Sequence, residues 1–265
     1  MSILDTFRLD GSVAVVTGSG QGIGRAIAWA LADAGCDVVV NARRQADLEV
    51  TAAGVRERGR RVLIAAGDVR EVIEPMADAT IAEFGHLDIW VNNVGGSDDK
   101  NVRALVDTPD DVFRSQIELN LTSAFQGCKA AATRMTDGGS IVNITSGAGT
   151  RGSPFTGPYA AAKAGLINLT QTLALELAER SIRVNAVSPG PVATEAFIDV
   201  LGVADRLDEL RRTIPLGRLG TPDDIAAMVL FLCSPSASWI TGEHHLVAGG
   251  RTTRSYQYRP KEADT

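Results

Sequence analysis

Cysteine, aromatic residues and long apolar runs are all scarce in this sequence. The three cysteines, Cys36, Cys128 and Cys233, are odd in number and far apart, which argues against a disulfide framework and favours reduced thiols. No apolar stretch is long enough to span a bilayer, and residues 1–10 lack the apolar core of a signal peptide. We therefore expect a cytoplasmic protein with no membrane partner.

Basic charge is not in excess either. The formal net charge is −6 and no basic block stands out, so nucleic acid is not expected as a partner, although a small local anion site stays open. Hydrophobic residues make up 45% of the 265 residues, enough for a sizeable core. Because no linker, repeat or shift in composition divides the chain, we expect one domain over residues 1–250 and a polar tail over residues 251–265.

Short apolar runs alternate with longer segments of helical periodicity. The runs predict strands at residues 13–17, 38–40, 61–66, 87–91, 140–144, 183–187 and 243–247. The periodic segments predict helices at residues 22–34, 46–58, 71–84, 110 to about 134, 159–179 and 222–233. Thr108 and Thr221 are the expected N-caps of the helices that begin near Pro109 and Pro222.

This alternation predicts a doubly wound α/β fold. We expect a parallel, Rossmann-like sheet of about seven strands with helices on both faces, which makes a three-layer αβα sandwich. Residues 189–215 break the pattern, since they mix turn residues with short helical pieces.

A glycine-rich turn joins the first predicted strand to the first helix. Glycine permits a tight turn and close backbone approach, and the free N–H groups and positive dipole end of a helix favour phosphate. The segment therefore predicts a dinucleotide site, with a purely structural turn as the alternative. The expected contacts are Gly18, Ser19, Gln21, Gly22, Ile23 and Gly24.

The end of the second predicted strand bears on the choice of dinucleotide. It carries Arg43 and Arg44 and no carboxylate. Because guanidinium groups pair well with phosphate, the sequence favours NADP over NAD. The alternative is that both arginines form a solvated pair at a helix start. Asp68, after the third strand, either binds the adenine amino group or caps a turn.

Taken in order along the chain, these and further motifs resemble the short-chain dehydrogenase/reductase family, in its compact single-domain branch. The pattern is nearest to 3-oxoacyl-carrier-protein reductases and bacterial hydroxysteroid dehydrogenases. Three departures stand out: Gln21 where NADP-preferring members often carry a basic residue, Val94 where alanine is usual, and Ala248 where many members have aspartate. The matching pieces are the turn at residues 17–24, Asp68-Val69, Asn92-Asn93-Val94-Gly95, Asn120, Ser146, Tyr159-Ala-Ala-Ala-Lys163, and Pro189-Gly190 with Thr194.

Tyr159 and Lys163 are four residues apart on a predicted helix, so they share a face. A nearby ammonium lowers the pKa of a phenol, which makes the phenol a better acid/base near neutral pH. A partly buried tyrosine beside an exposed lysine is the alternative.

Ser146 follows a strand and is expected at the carboxyl edge of the sheet, where ligands bind. The resemblance adds Asn120, as a residue that distorts its helix and holds a water in a proton relay that reaches Lys163.

The resemblance implies further contacts with the dinucleotide, and Lys163 is also expected to bind the nicotinamide ribose. No metal is expected, because His86, His244 and His245 lack partners at suitable spacing. The implied contacts beyond the glycine-rich turn and the two arginines are Asp68, Val69, Asn93, Gly95, Tyr159, Lys163, Pro189, Gly190, Val192 and Thr194.

The resemblance thus implies an NAD(P)-dependent oxidoreductase that interconverts a secondary alcohol and a ketone. Its small-molecule substrate is expected to be apolar, namely a 3-oxoacyl group, a steroid or a cyclic ketone. Specificity is expected to reside in residues 95–107, 148–155 and 194–215, and the assembly is expected to be a homotetramer. A non-catalytic dinucleotide sensor or scaffold, and a nucleotide-binding transferase on the same fold, are the alternatives.

Overall fold

The central feature is a sheet of seven parallel strands. The computed structural model describes residues 2–97, 103–136, 138–195, 197–198 and 204–251. The strand order is β3-β2-β1-β4-β5-β6-β7. The predicted strands are confirmed, and their ends shift by only one or two residues. Their bounds are β1 Val13–Val16, β2 Asp37–Ala42, β3 Val62–Ala66, β4 Ile89–Asn92, β5 Gly139–Ile144, β6 Ile182–Pro189 and β7 His244–Val247.

Helices cover both faces of the sheet. Val16 and Val40 point into one apolar layer with α1, α2 and α8, while the alternate residues Val15 and Val39 point into a second layer with α3, α5 and α6. The three-layer, doubly wound fold is therefore confirmed. The helices are α1 Gly22–Asp33, α2 Gln45–Glu57, α3 Val69–Phe84, α4 Asp110–Ile117, α5 Ser123–Arg134, α6 Gly157–Leu177, α7 Ala204–Arg212 and α8 Pro222–Cys233.

The direction in which strands are added reverses between β1 and β4. Strands β2 and β3 lie on one side of β1, whereas β4 to β7 follow on the other. The two connections therefore leave the carboxyl edge in opposite directions and open a crevice there. In open α/β sheets, ligands bind at such a switch point.

The long helix predicted over residues 110–134 contains a π turn. Regular helix ends at Ile117, a π segment spans Glu118–Thr122, and α5 then continues the same rod. A π turn widens the helix by one residue and is frequent at functional sites. Asn120, which the sequence singled out as a poor helix former, lies inside this segment and is fully buried.

The two predicted N-caps have different outcomes. Thr221 caps α8 through a capping box: its Oγ1 accepts from the Asp224 N–H at 3.3 Å, and Asp224 accepts from the Thr221 N–H at 2.7 Å. The cap predicted at Thr108 is wrong. Thr108 closes a 3-10 turn at Leu105–Asp107 and donates to the Ala104 carbonyl, and Pro109 occupies the N-cap without a side-chain bond.

Three further expectations can be compared with the described residues. The three cysteines are buried and unpaired, as predicted. Among the described helices, none combines the length and the apolarity needed to cross a membrane. Residues 252–265 of the predicted tail lie outside the described residues, as do Val200 and Leu201 in the segment expected to contribute to specificity.

Candidate active site

The glycine-rich turn between β1 and α1 leaves no room for side chains at its key positions. Gly18 has φ +65°, and a Cβ there would stand 2.9 Å from Asn93 Nδ2. A Cβ on Gly24 would collide with the Gly18 carbonyl oxygen. Gly22 has φ +53° and lies against Thr194. The turn is therefore built for glycine, and the chain folds it tightly onto the start of α1.

Two predicted cofactor contacts use their side chains to fix this turn. Asn93 Nδ2 donates to the carbonyl oxygens of Thr17, at 2.9 Å, and Gly18, at 3.1 Å. The buried Ser19 hydroxyl accepts from the Asn41 N–H at 3.0 Å. In these positions both side chains hold the turn in place, which leaves the backbone of the turn to meet a ligand. Ile23, a third predicted contact, packs partly against the core.

The turn fits the phosphates of a dinucleotide. The N–H groups of Gly20 and Gln21 donate to no acceptor within the part of the chain that the structure describes. They stand directly before the N-terminus of α1, where the helix dipole favours negative charge. Together with the missing Cβ atoms at positions 18, 22 and 24, these groups make a cradle of the size and polarity that a pyrophosphate needs.

Arg43 and Arg44 are both exposed at the end of β2, but their contacts differ. Arg44 pairs with Asp47 at 2.6 Å and donates to Gln21 Oε1 at 3.3 Å. Arg43 makes no salt bridge within the described ranges, although it lies near enough to Asp68 to help lower the pKa of that carboxyl. Arg43 is thus the more available guanidinium for an incoming phosphate.

Asp68 caps helix α3. Its Oδ1 accepts from the Arg70 N–H at 3.0 Å, and the Arg70 guanidinium binds both of its oxygens. The Arg70 side chain is the main reason that the pKa of Asp68 falls to about 2. The sequence left two alternatives for Asp68, binding of the adenine amino group or a capping role, and the structure contains the cap. The adjacent Val69 is buried in the core as the first residue of α3.

Ser146, Tyr159 and Lys163 meet at the carboxyl edge of the sheet. Ser146 follows β5, accepts from the Ala148 N–H at 3.2 Å, and lies near enough to the Tyr159 hydroxyl to affect its pKa. Lys163, one turn after Tyr159 on α6, is buried and places its Nζ 5.8 Å from the centre of the Tyr159 ring. The structure therefore brings together the three side chains that the sequence proposed.

The pKa expected for Tyr159 is wrong in direction. Burial raises the pKa of Tyr159, and the nearby Ser146 hydroxyl only opposes this effect. Burial also lowers the pKa of Lys163 to about 8, because the charged ammonium loses its hydration. The sequence pattern shows that the two groups share a face, but it does not show how deeply the fold buries them.

Asn120 and Lys163 face a common space beside Gly95. Asn120 Oδ1 accepts from the Gly96 N–H at 2.9 Å, and its Nδ2 donates to Gly96 O and to Gln116 O and Oε1. A Cβ on Gly95 would stand 2.7 Å from Asn120 Oδ1 and 2.8 Å from Lys163 Nζ. Glycine at this position keeps that space open. Gly96 and Gln116 were not predicted from the sequence as site residues, although Gln116 lies four residues before Asn120 on the same predicted helix.

The segment after β6 reaches the glycine-rich turn from the other side. Gly190 donates to the Val247 carbonyl at 2.9 Å, and a Cβ there would collide with Ala248. Val192 is buried and pairs with Gly220 through a single β-bridge. Thr194, beyond it, lies against Gly22. Of the four residues expected here, Pro189, Gly190, Val192 and Thr194, the last has the most direct access to the turn.

The glycine-rich turn and the Tyr159 group form one continuous site. Val94 packs against Gly18, and the next residue, Gly95, adjoins Lys163. An open cleft of about 760 Å³ is lined by residues 148–155 together with Leu105 and the first turns of α6. The α6 residues of its lining, Gly157, Ala160, Ala161 and Ala164, lie on a different face of the helix from Tyr159 and Lys163.

Comparisons with known proteins agree with this geometry. Residues 18–252 match the family model described as enoyl-(acyl carrier protein) reductase. The chain is 37% identical over 255 residues to the 7alpha-hydroxysteroid dehydrogenase of Escherichia coli (strain K12), covering 93% of this chain and 96% of the relative. It is 38% identical over 244 residues to the 3-oxoacyl-(acyl-carrier-protein) reductase FabG of Vibrio cholerae, covering 91% of this chain and 98% of the relative.

A solved structure extends the likeness to the fold. The 7alpha-hydroxysteroid dehydrogenase complexed with NADH and 7-oxo glycochenodeoxycholic acid superposes with a TM-score of 0.88 at 35% identity. The match covers 94% of this chain and 98% of the other. The fold of this chain therefore has a counterpart in a structure that contains NADH.

Proposed function

The chain belongs to the short-chain dehydrogenase/reductase family, and from that premise we propose that Asn120, Ser146, Tyr159 and Lys163 are its catalytic residues. The protein is an NAD(P)-dependent oxidoreductase that interconverts an alcohol and a ketone. One observation carries the assignment of the residues. The partly buried Tyr159 has its hydroxyl near Ser146 and lies one helical turn before the buried Lys163, beside a turn that suits a pyrophosphate.

Each residue has a distinct task in this proposal. The bound nicotinamide supplies or accepts the hydride. Tyr159 donates its hydroxyl proton to the substrate oxygen in reduction and takes the proton back in oxidation. Ser146 donates a hydrogen bond to the same oxygen as negative charge develops. Lys163, when charged, favours the phenolate that Tyr159 becomes after it has given up the proton.

Asn120 is proposed to help return that proton to Tyr159. Its Oδ1 and the Lys163 Nζ both border the space beside Gly95, and we propose that a water bridges these two polar groups there. Such a water would pass protons between Lys163 and the surroundings of Asn120. The π turn supports this role, because it carries the Asn120 side chain into the site while Gln116 and Gly96 hold its amide in one orientation.

NADP is the proposed preferred cofactor. The support is Arg43, an exposed guanidinium without a salt-bridge partner in the described residues, and the absence of a carboxylate at the end of β2. The residues proposed to hold the dinucleotide remain those named from the sequence. Within that set, the turn at residues 18–24 contributes mainly backbone N–H groups, whereas Asn93 and Ser19 stabilise the turn.

The substrate is proposed to be apolar. Leu105, Phe155 and Ile198, one in each of the three segments expected to control specificity, are 56%, 59% and 44% exposed. Such side chains would cover the body of a steroid, an acyl chain or a cyclic ketone.

We also propose one domain over residues 1–250 and a homotetramer. Phe113 and Phe125, exposed on α4 and α5, support association through these helices.

The experiment is a screen of ketones and alcohols with NADPH and NADH, followed by the absorbance of the reduced nicotinamide. We expect turnover of at least one apolar ketone, with the higher kcat/KM for NADPH. Binding of cofactor without turnover of any compound would favour the sensor instead. That alternative gains no support from the site, since a sensor has no need of Ser146, Tyr159 and Lys163 in contact.

A further inference from the structure

Two buried hydrogen bonds hold the back of the glycine-rich turn. Thr51, in the middle of α2, donates from its Oγ1 to the Ser19 carbonyl oxygen at 2.8 Å. Arg25, in the first turn of α1, donates from its guanidinium to the next carbonyl oxygen, that of Gly20. Arg25 Nε also donates to Thr51 Oγ1 at 3.3 Å. We call these linked contacts the Thr51–Arg25 brace.

The brace determines where the N–H groups of the turn point. In a trans peptide, the C=O of one residue and the N–H of the next lie in one plane and point in opposite directions. Fixing Ser19 O towards Thr51 therefore directs the Gly20 N–H the other way. Fixing Gly20 O towards Arg25 does the same for the Gln21 N–H. Neither of these two N–H groups has an acceptor within the described residues.

The Thr51 end of the brace is itself held in place by packing between α2 and α1. Thr51 is fully buried, and its carbonyl oxygen accepts from Trp29 Nε1 at 3.0 Å. A Cβ on Gly54 would collide with the Trp29 ring, so α2 packs closely on α1 one turn later. Because Arg43 and Arg44 immediately precede α2, the same contacts also set the distance between these arginines and the turn.

We propose that Thr51 is a positioning residue for the dinucleotide: with Arg25 it holds two consecutive carbonyl groups so that the N–H groups of Gly20 and Gln21 face the pyrophosphate. This rests on the proposed function, which assigns the dinucleotide to this turn. Thr51 itself touches no ligand. Its effect is on the affinity for the shared pyrophosphate, and so it is equal for NADPH and NADH.

Thr51→Val removes the hydroxyl and keeps the shape of the side chain. We expect the Kd for both NADPH and NADH, measured from nicotinamide fluorescence, to rise by about three- to tenfold, the worth of one buried hydrogen bond. Thr51→Ser retains the hydroxyl and is expected within about twofold of the unmodified protein. Arg25→Met removes the second half of the brace and is expected to weaken both cofactors in the same proportion.

Thr80→Val is the matched control. Thr80 is also fully buried in a helix, and its hydroxyl donates to its own helix, to Met76 O at 2.8 Å, as Thr51 donates to Asp47 O. It has no contact with the turn, so its loss reports only the general cost of a buried hydroxyl. Thermal midpoints of all variants, measured without cofactor, separate this cost from the change in affinity.

The outcomes are distinct. If Thr51→Val and Arg25→Met bind both cofactors as tightly as Thr80→Val does, the brace does not position the turn and the proposal fails, while the proposed function stands. If Thr51→Val does not fold, Arg25→Met decides by the same criterion. If the unmodified protein binds neither NADPH nor NADH, the assignment of the dinucleotide fails first, and the proposed role of Thr51 falls with it.

Discussion

Lys163 Nζ donates to the carbonyl oxygen of Ile144 at 2.9 Å. Ile144 is the last residue of β5, two positions before Ser146, so this bond ties the lysine to the strand that delivers the serine. The ammonium is thereby held between the end of the strand and the Tyr159 ring. The same bond offsets part of the cost of burying a charge that has no carboxylate partner among the described residues.

The pH dependence of the two reaction directions follows from this arrangement. Because burial raises the pKa of Tyr159, the phenol keeps its proton through neutral pH. Reduction needs that proton, whereas oxidation needs the phenolate. We therefore expect the rate of oxidation to rise with pH and the rate of reduction to fall only at alkaline pH. Steady-state rates in both directions between roughly pH 6 and 10 measure this.

Lys163→Met shifts these profiles in a defined direction. Below the Lys163 pKa of about 8 the ammonium favours the phenolate, and Lys163→Met removes that charge. The rate of oxidation between roughly pH 6 and 8 is therefore expected to fall by about tenfold in the variant, whereas the two profiles converge above about pH 9, where Lys163 is neutral in the unmodified protein. An oxidation profile that stays in place in Lys163→Met would show that the lysine charge does not act on Tyr159.

Gly95→Ala tests the space between Asn120 and Lys163. The added methyl would stand less than 3 Å from both Asn120 Oδ1 and Lys163 Nζ, and alanine is also strained at φ +156°. We expect kcat to fall by about tenfold or more, since the proton path is closed and the lysine is displaced. Gly96→Ala adds the same methyl where nothing lies within 4 Å and leaves the backbone groups that bind Asn120, so it serves as the control. Equal loss in both variants would contradict the account.

Arg43→Asp tests the choice of cofactor. A carboxylate at this position repels a 2′-phosphate and can accept from a ribose hydroxyl, so the ratio of kcat/KM for NADPH over that for NADH is expected to fall by about tenfold or more. Arg56→Asp, exposed at the other end of α2, makes the same change of charge away from the site. A ratio that does not differ between the two variants would mean that Arg43 is a solvated surface residue.

Sequence reasoning succeeded where the signal was local. The strands of this sheet are short apolar runs, which are visible in the sequence. The glycine-rich turn has no space for side chains, and its run of glycines indicates this directly. The four-residue spacing of Tyr159 and Lys163 placed them on one face of α6, and the structure confirms their proximity. These features depend on neighbours in the chain.

The missed features depend on tertiary context. The apolar pattern alone predicts a regular helix around Asn120, because the change in backbone hydrogen bonding that makes the π turn does not alter that pattern; only the family resemblance implied a distorted helix there. Thr51 is 32 residues from Ser19 in the chain, so no local sequence motif predicts their contact. The pKa of Tyr159 was misjudged because the spacing reveals the nearby ammonium but not the burial that outweighs it.

Tyr159→Phe tests the central claim most directly, because it removes one hydroxyl and keeps the ring that packs beside Lys163. Once a substrate has been identified, kcat and the Kd for NADPH should be measured together for the variant and the unmodified protein. The account predicts that kcat falls by about a hundredfold or more, while the Kd changes by less than about threefold. Turnover that survives in Tyr159→Phe would contradict the assignment of Tyr159 as the acid/base.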